Sequence, residues 1–99
     1  MSDRDQPEIV RNDERGRFEL AEEPGKGYLD FRLAEGQLTL TYTEVSDDLE
    51  GQGVGGALVR SALDHAEAEG LTIVPECGFV ASWLDRHPDR AAELDVATP

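Results

Sequence analysis

The sequence predicts an α/β (α+β) domain built on a mixed sheet: an antiparallel N-terminal meander, then a β-α-β crossover, then a C-terminal helix. Three observations carry that expectation. Apolar and polar residues alternate in short segments as far as Val45, the repeat lengthens to a helical one from Val54, and a short run rich in β-branched residues, Leu71 to Val74, follows.

Met1 to Glu8 is a polar lead-in containing Pro7 and is expected to fray. Ile9 to Asn12 and Arg17 to Ala21 read as the first two strands. Phe18 and Leu20 alternate with Arg17 and Glu19, and Asp13-Glu14-Arg15-Gly16 supplies the turn between the strands. Pro24-Gly25 makes a second turn. Gly27 to Leu33 then places Leu29, Phe31 and Leu33 on one face, with Tyr28, Asp30 and Arg32 on the other. After the Glu35-Gly36 turn, Gln37 to Val45 is the clearest strand. Strict alternation assigns Leu38, Leu40 and Tyr42 to one side, which makes Tyr42 a packing residue, and Thr39, Thr41, Thr43 and Val45 to the other. Four strands joined by short turns form an antiparallel meander.

Ser46-Asp47-Asp48 is a polar break. Beyond it Val54, Leu58, Ala62 and Ala66 recur at helical spacing with Val59 and Leu63 beside them, while Arg60, Asp64, Glu67 and Glu69 take the outer side. Gly70 is placed to end the helix. His65 falls toward the outer side and reads as a solvated residue. Leu71 to Pro75 then reads as a buried strand, and the strand-helix-strand order implies a right-handed crossover that sets it parallel to Gln37 to Val45. Phe79, Val80, Trp83, Leu84 and His87 share one face of a second helix, with Phe79, Trp83 and Leu84 read as core and His87 as a cation at the helix end. Pro88 interrupts that helix or starts a short turn through Leu94, and residues 95–99 are expected to be a frayed tail.

At 99 residues the chain is long enough for one modest core, so residues 1–99 read as a single domain. Twenty-two acidic against nine basic residues give a formal charge of -13, which argues against nucleic acid as a partner; the excess either reflects composition alone or, if it is functional, favours basic acceptors such as amines. No apolar run approaches membrane length, and a cytoplasmic protein that is a monomer or weak dimer, with no membrane partner, is expected. Cys77 has no second cysteine to pair with. Its spacing from His65 and His87 makes no zinc site, so no metal is expected.

The stretch Glu50-Gly51-Gln52-Gly53-Val54-Gly55-Gly56 opens the first long helix. Glycines let bare main-chain N–H groups approach an anion, and the helix directs the positive end of its dipole at the same place. The Lys-Ser/Thr ending of a P-loop is missing, and the spacing is shorter than that of a dinucleotide fingerprint.

From Thr43 through Asp89 the chain resembles the short, single-domain branch of the GNAT superfamily of acetyl-coenzyme-A-dependent N-acetyltransferases. The marks are the glycine loop after a Thr43-Glu44-Val45 strand end, the Ala62-Leu63-Asp64 helix, the Pro75-Glu76-Cys77 turn and the Arg86-His87-Pro88 close. The resemblance implies acetyl-coenzyme A as co-substrate and an amine acceptor, either a small basic molecule or a protein lysine. It implies a pyrophosphate held by the N–H groups of Gly51, Gln52, Gly53, Val54, Gly55 and Gly56. It also implies a pantetheine arm bonded by Thr43 and Val45 in the gap where the two parallel strands splay. Glu50 stands where the superfamily usually has Gln or Arg, so the side-chain phosphate contact is not matched. In this branch the cysteine matching Cys77 is a candidate acyl carrier; the commoner route is direct attack by the amine, for which Glu44 is the nearest candidate base. A coenzyme-A-binding module with little turnover and a ligand-free interaction domain are the alternative functions.

Overall fold

The computed structural model describes residues 7–97. Its strands are β1 (Ile9–Asn12), β2 (Arg17–Leu20), β3 (Gly27–Ala34), β4 (Gln37–Val45) and β5 (Thr72–Pro75); its helices are α1 (Val54–Glu69), α2 (Gly78–Arg86) and α3 (Pro88–Ala91). The sheet runs in the order β1-β2-β3-β4-β5, antiparallel as far as β4 and parallel between β4 and β5. This is the mixed sheet that the change of period at Val54 implies. Strand limits differ from the expectation by a residue or so: Ala21 lies beyond β2, β3 reaches Ala34 and β5 begins at Thr72.

The helices stack on one face of the sheet. Leu58, Val59, Ala62, Leu63 and Ala66 of α1 are fully buried against Leu29, Leu38, Leu40 and Ile73 of the strands, with Val80, Trp83 and Leu84 of α2 completing the cluster. This stripe is the i, i+4 row written in the sequence, and its burial is the main attraction between helix and sheet. α1 stops where the sequence says it should. Gly70 is left-handed at φ 68°, its N–H meets the Glu67 carbonyl, and Leu71 N–H reaches back to the Ala66 carbonyl at 2.8 Å. α3 is tied to α1 by Arg90, whose guanidinium bonds Asp64 and Glu67 of that helix as well as Glu93.

Four expectations change. Tyr42 does not share a face with Leu38 and Leu40: the register passes from Asp30 opposite Tyr42 to Phe31 opposite Leu40, so Thr41 is an extra residue and the alternation inverts across it. Tyr42 therefore joins Glu44 on the face without helices and is 50% exposed, while Thr43 and Val45 turn to the helix face. His65 is partly buried rather than solvated, edge-on to Phe18 at 6.0 Å and beside Arg11. Phe79 is 40% exposed instead of core. The tail is docked as well: Val96 bridges Ile73, whose N–H donates to the Asp95 carbonyl while its own carbonyl accepts from Ala97, all along the outer edge of β5. At the other terminus the Glu8 carbonyl accepts from Ala21; the remainder of both expected frayed ends lies outside the described residues.

Candidate functional site

β4 is longer than its parallel neighbour, and that mismatch makes a gap. Their register runs from Gln37 opposite Thr72 to Leu40 opposite Pro75. The chain then leaves the sheet: Cys77 N–H donates to the Leu40 carbonyl at 2.9 Å, and α2 begins at the next residue. From Thr41 to Val45, β4 continues with β3 on one side and, among the described residues, no strand on the other. Hydrogen bonding to β3 alternates along this stretch, and Ser46 N–H is spent on the Lys26 carbonyl at 2.8 Å. By that alternation the N–H and C=O groups of Thr43 and Val45 face the open edge. The Thr43 hydroxyl reaches across the gap to the thiol of Cys77, Oγ1 to Sγ 3.2 Å, and the Cys77 side chain is buried there.

The glycine loop lies at the same, carboxyl, end of β4. A 3-10 turn, Asp47–Leu49, leads into it and is anchored by the Ser46 hydroxyl donating to Asp48 and by Lys26 Nζ 2.7 Å from the same carboxylate. The hydrogen bond to Lys26 holds the Asp48 carboxyl below the usual carboxylate range, and its counterpart raises Lys26 above the usual lysine value. The anchor is thus intact between those two limits; it is lost as acid protonates Asp48 or as base deprotonates Lys26. Gly51 at φ 82° and Gly53 at φ 79° occupy the left-handed region, where a side chain would be strained. Gly55 answers a different need. A methyl there would come within 2.6 Å of Phe79 Cζ, so the missing side chain lets the first turn of α1 lie against α2.

The donors of the loop divide into used and unused. Glu50 N–H bonds the Asp47 carbonyl and Gln52 N–H the Leu49 carbonyl, both at 3.2 Å, and Ala57 N–H makes the first helical bond, to Gly53. Between them, the N–H groups of Gly51, Gly53, Val54, Gly55 and Gly56 meet no acceptor among the described residues. Gln52, expected as a main-chain donor, is the exception, because its amide closes the turn. The Gly53 cap has no side-chain partner among the described residues, and α1 carries no acidic residue in its first turn, in a chain where acids outnumber bases by more than two to one. The unmet N–H groups and the dipole make this end of α1 attractive to an anion.

Glu44, on the face away from the helices, accepts the Tyr42 hydroxyl at 2.5 Å, and this bond raises the Tyr42 phenol above its ordinary pKa. The Arg17 guanidinium lies 3.8 Å from the Tyr28 ring on the same face. Trp83 and His87 stack at 3.8 Å, with His87 Nδ1 2.8 Å from the Trp83 carbonyl, so His87 serves the end of α2. Two residues that the sequence pattern places elsewhere also reach the site. Phe79 rests on Gly55, and Arg60, assigned to the outer side, bends back toward Gly56. Both follow from the tilt of helical side chains toward the N-terminus and from the absence of side chains on the two glycines.

A separate groove of about 300 Å³ lies at the other end of α1, lined by Phe31, Leu33, Leu71, Arg11, His65 and Glu69 among others. Among the described residues no helix is long and apolar enough to cross a membrane.

Comparison with known proteins bears on the same elements. Residues 17–94, which include β2 to β5 and all three helices, match the family described as GCN5-related N-acetyl-transferase. The solution structure of a GCN5-like protein from Staphylococcus aureus superposes with a TM-score of 0.71, covering 95% of this chain and 91% of its own, at 24% sequence identity. That likeness is one of fold.

Proposed function

We propose, starting from a chain that belongs to the GCN5-related N-acetyl-transferase family, that the protein binds acetyl-coenzyme A and transfers its acetyl group to an amine. One observation carries the reading: two sets of unspent main-chain groups, the open edge of β4 and the head of α1, come together at the carboxyl end of β4. The donor set suits the coenzyme. The amides of Gly51, Gly53, Val54, Gly55 and Gly56 would hold a diphosphate, and Thr43 and Val45 would bond the amides of a pantetheine arm as an added strand does. When bound, acetyl-coenzyme A supplies an activated thioester carbonyl.

Cys77 stands where the arm would end, and Thr43 Oγ1 is placed to donate to its thiolate. In this reading the Cys77 thiol releases its proton to water and the sulfur attacks the thioester carbonyl. A bond from Sγ to the acyl carbon forms as the coenzyme's carbon–sulfur bond breaks, and the coenzyme leaves as a thiolate. The acceptor amine then attacks the acyl-cysteine: the carbon–nitrogen bond forms, the bond to Sγ breaks, and the proton shed by nitrogen passes to a base. Glu44, the carboxylate offered as base for direct attack, lies on the face of β4 opposite Thr43 and Cys77, so in the acyl-cysteine route it would take that proton through water and not by direct contact. The acidic surface suits a cationic acceptor, either a small basic molecule or a lysine side chain.

Intact-mass measurement after incubation with acetyl-coenzyme A tests the route. One added acetyl group is expected on the native protein and none on Cys77→Ser. Equal labelling of both proteins, or undiminished amine turnover by Cys77→Ser, would move the chemistry to direct attack by the amine.

A further inference from the structure

We infer that Arg60 is a specificity-determining residue that binds the diphosphate of the coenzyme from the side of α1, an inference that rests on the function proposed above. Arg60 follows Gly56 by one helical turn, so its side chain leans back over that glycine. A methyl on Gly56 would come within 3.3 Å of Arg60 Nη1 and 3.5 Å of Trp83 Nε1, which places the guanidinium against Gly56 in the first turn, the turn that carries the unspent amides.

That position is unfavourable for a cation in the empty protein. The head of a helix carries partial positive charge, and a guanidinium there is repelled unless an anion sits between them. Pairing within the chain does not relieve it. Arg11, Arg17, Lys26, Arg32 and Arg90 each have a carboxylate partner; Arg60, like Arg15 and Arg86, has none among the described residues, but of these three only Arg60 is on α1, whose first turn offers no acid. Glu50, at the head of the loop, would repel a phosphate rather than bind one. A diphosphate on the loop amides would resolve the mismatch, because its oxygens can accept from the amides and from the guanidinium at once, and charge-assisted bonds of this kind are the stronger ones.

Calorimetric titration with coenzyme A, dephospho-coenzyme A and pantetheine tests this on the native protein, Arg60→Gln and Arg60→Lys. Arg60→Gln should weaken both nucleotide ligands by about tenfold or more, as expected for loss of a hydrogen bond to a charged group, and leave pantetheine unchanged. Arg60→Lys should recover part of the loss. Without ligand, Arg60→Gln should melt no lower than the native protein, since it removes a cation from the positive end of a helix; a purely structural arginine would lower the melting temperature. Unchanged nucleotide affinity in Arg60→Gln would overturn the assignment. So would a loss confined to coenzyme A, which would place the contact on the 3′-phosphate. No binding by the native protein would instead remove the function on which the assignment depends.

Discussion

Replacing Gly53 with valine is expected to weaken coenzyme A binding by at least tenfold while leaving the protein folded. Gly53 sits at φ 79°, ψ 17°, and a methyl there would meet nothing within 4 Å, so space is not the obstacle. The obstacle is the backbone. An L-residue in the left-handed region costs about 1–2 kcal/mol, and a β-branched one fares worse. The loop can escape by turning the peptide at Gly53, which re-aims the Val54 and Gly55 amides, and about 1.4 kcal/mol of lost interaction is already tenfold in affinity. Asparagine accepts this conformation more readily, so Gly53→Asn should keep more of the affinity than Gly53→Val. Calorimetry on both variants, with thermal melts as the folding control, checks the ranking. Equal affinity in the two would mean that the direction of these amides is immaterial.

Leu58→Ala should produce the largest loss of stability. Leu58 is fully buried at the centre of the contact between α1 and the sheet. Truncating a leucine in such a place costs about 2–5 kcal/mol, the transfer of the lost carbons plus the cavity they leave. Against a total of about 5–15 kcal/mol for a typical domain, that is a large share. A domain of this size loses roughly 4–8 °C of melting temperature per kcal/mol, so the expected fall is on the order of 10–30 °C. Val10→Ala, at a position 39% exposed, should change stability by about half a kcal/mol or less. A cost below about 1 kcal/mol for Leu58→Ala would contradict the packing described for α1.

Periodicity made most of this fold legible. The four-residue repeat from Val54 to Ala66 and the glycine after Glu69 locate α1 and its end, and the crossover rule places β5 beside β4. The bulge at Thr41 was not legible. One unpaired residue leaves no mark on composition, yet it reverses the facing of everything after it, which is why Tyr42 and Glu44 point away from the helices and Thr43 toward Cys77. The docked tail was missed because Asp95 to Ala97 has no alternating pattern; it is held by main-chain bonds to Ile73, which any sequence can make. At the loop, glycine spacing indicates where donors can be exposed but not which are spent internally, so Gln52 could not be separated from its neighbours. Arg60 carried a readable sign, four residues after a glycine on the same helix, but only the three-dimensional arrangement shows that it lacks a carboxylate partner among the described residues.

Titration of isotopically labelled protein with coenzyme A, followed through its amide resonances, addresses the central claim directly. Saturable shifts should be largest at Gly51, Gly53, Val54, Gly55 and Gly56 and along Thr43 and Val45, with Gln52 moving less because its N–H is already bonded to Leu49. No saturation at millimolar ligand, or shifts gathered around Phe31, His65 and Leu71 at the far end of α1, would contradict it.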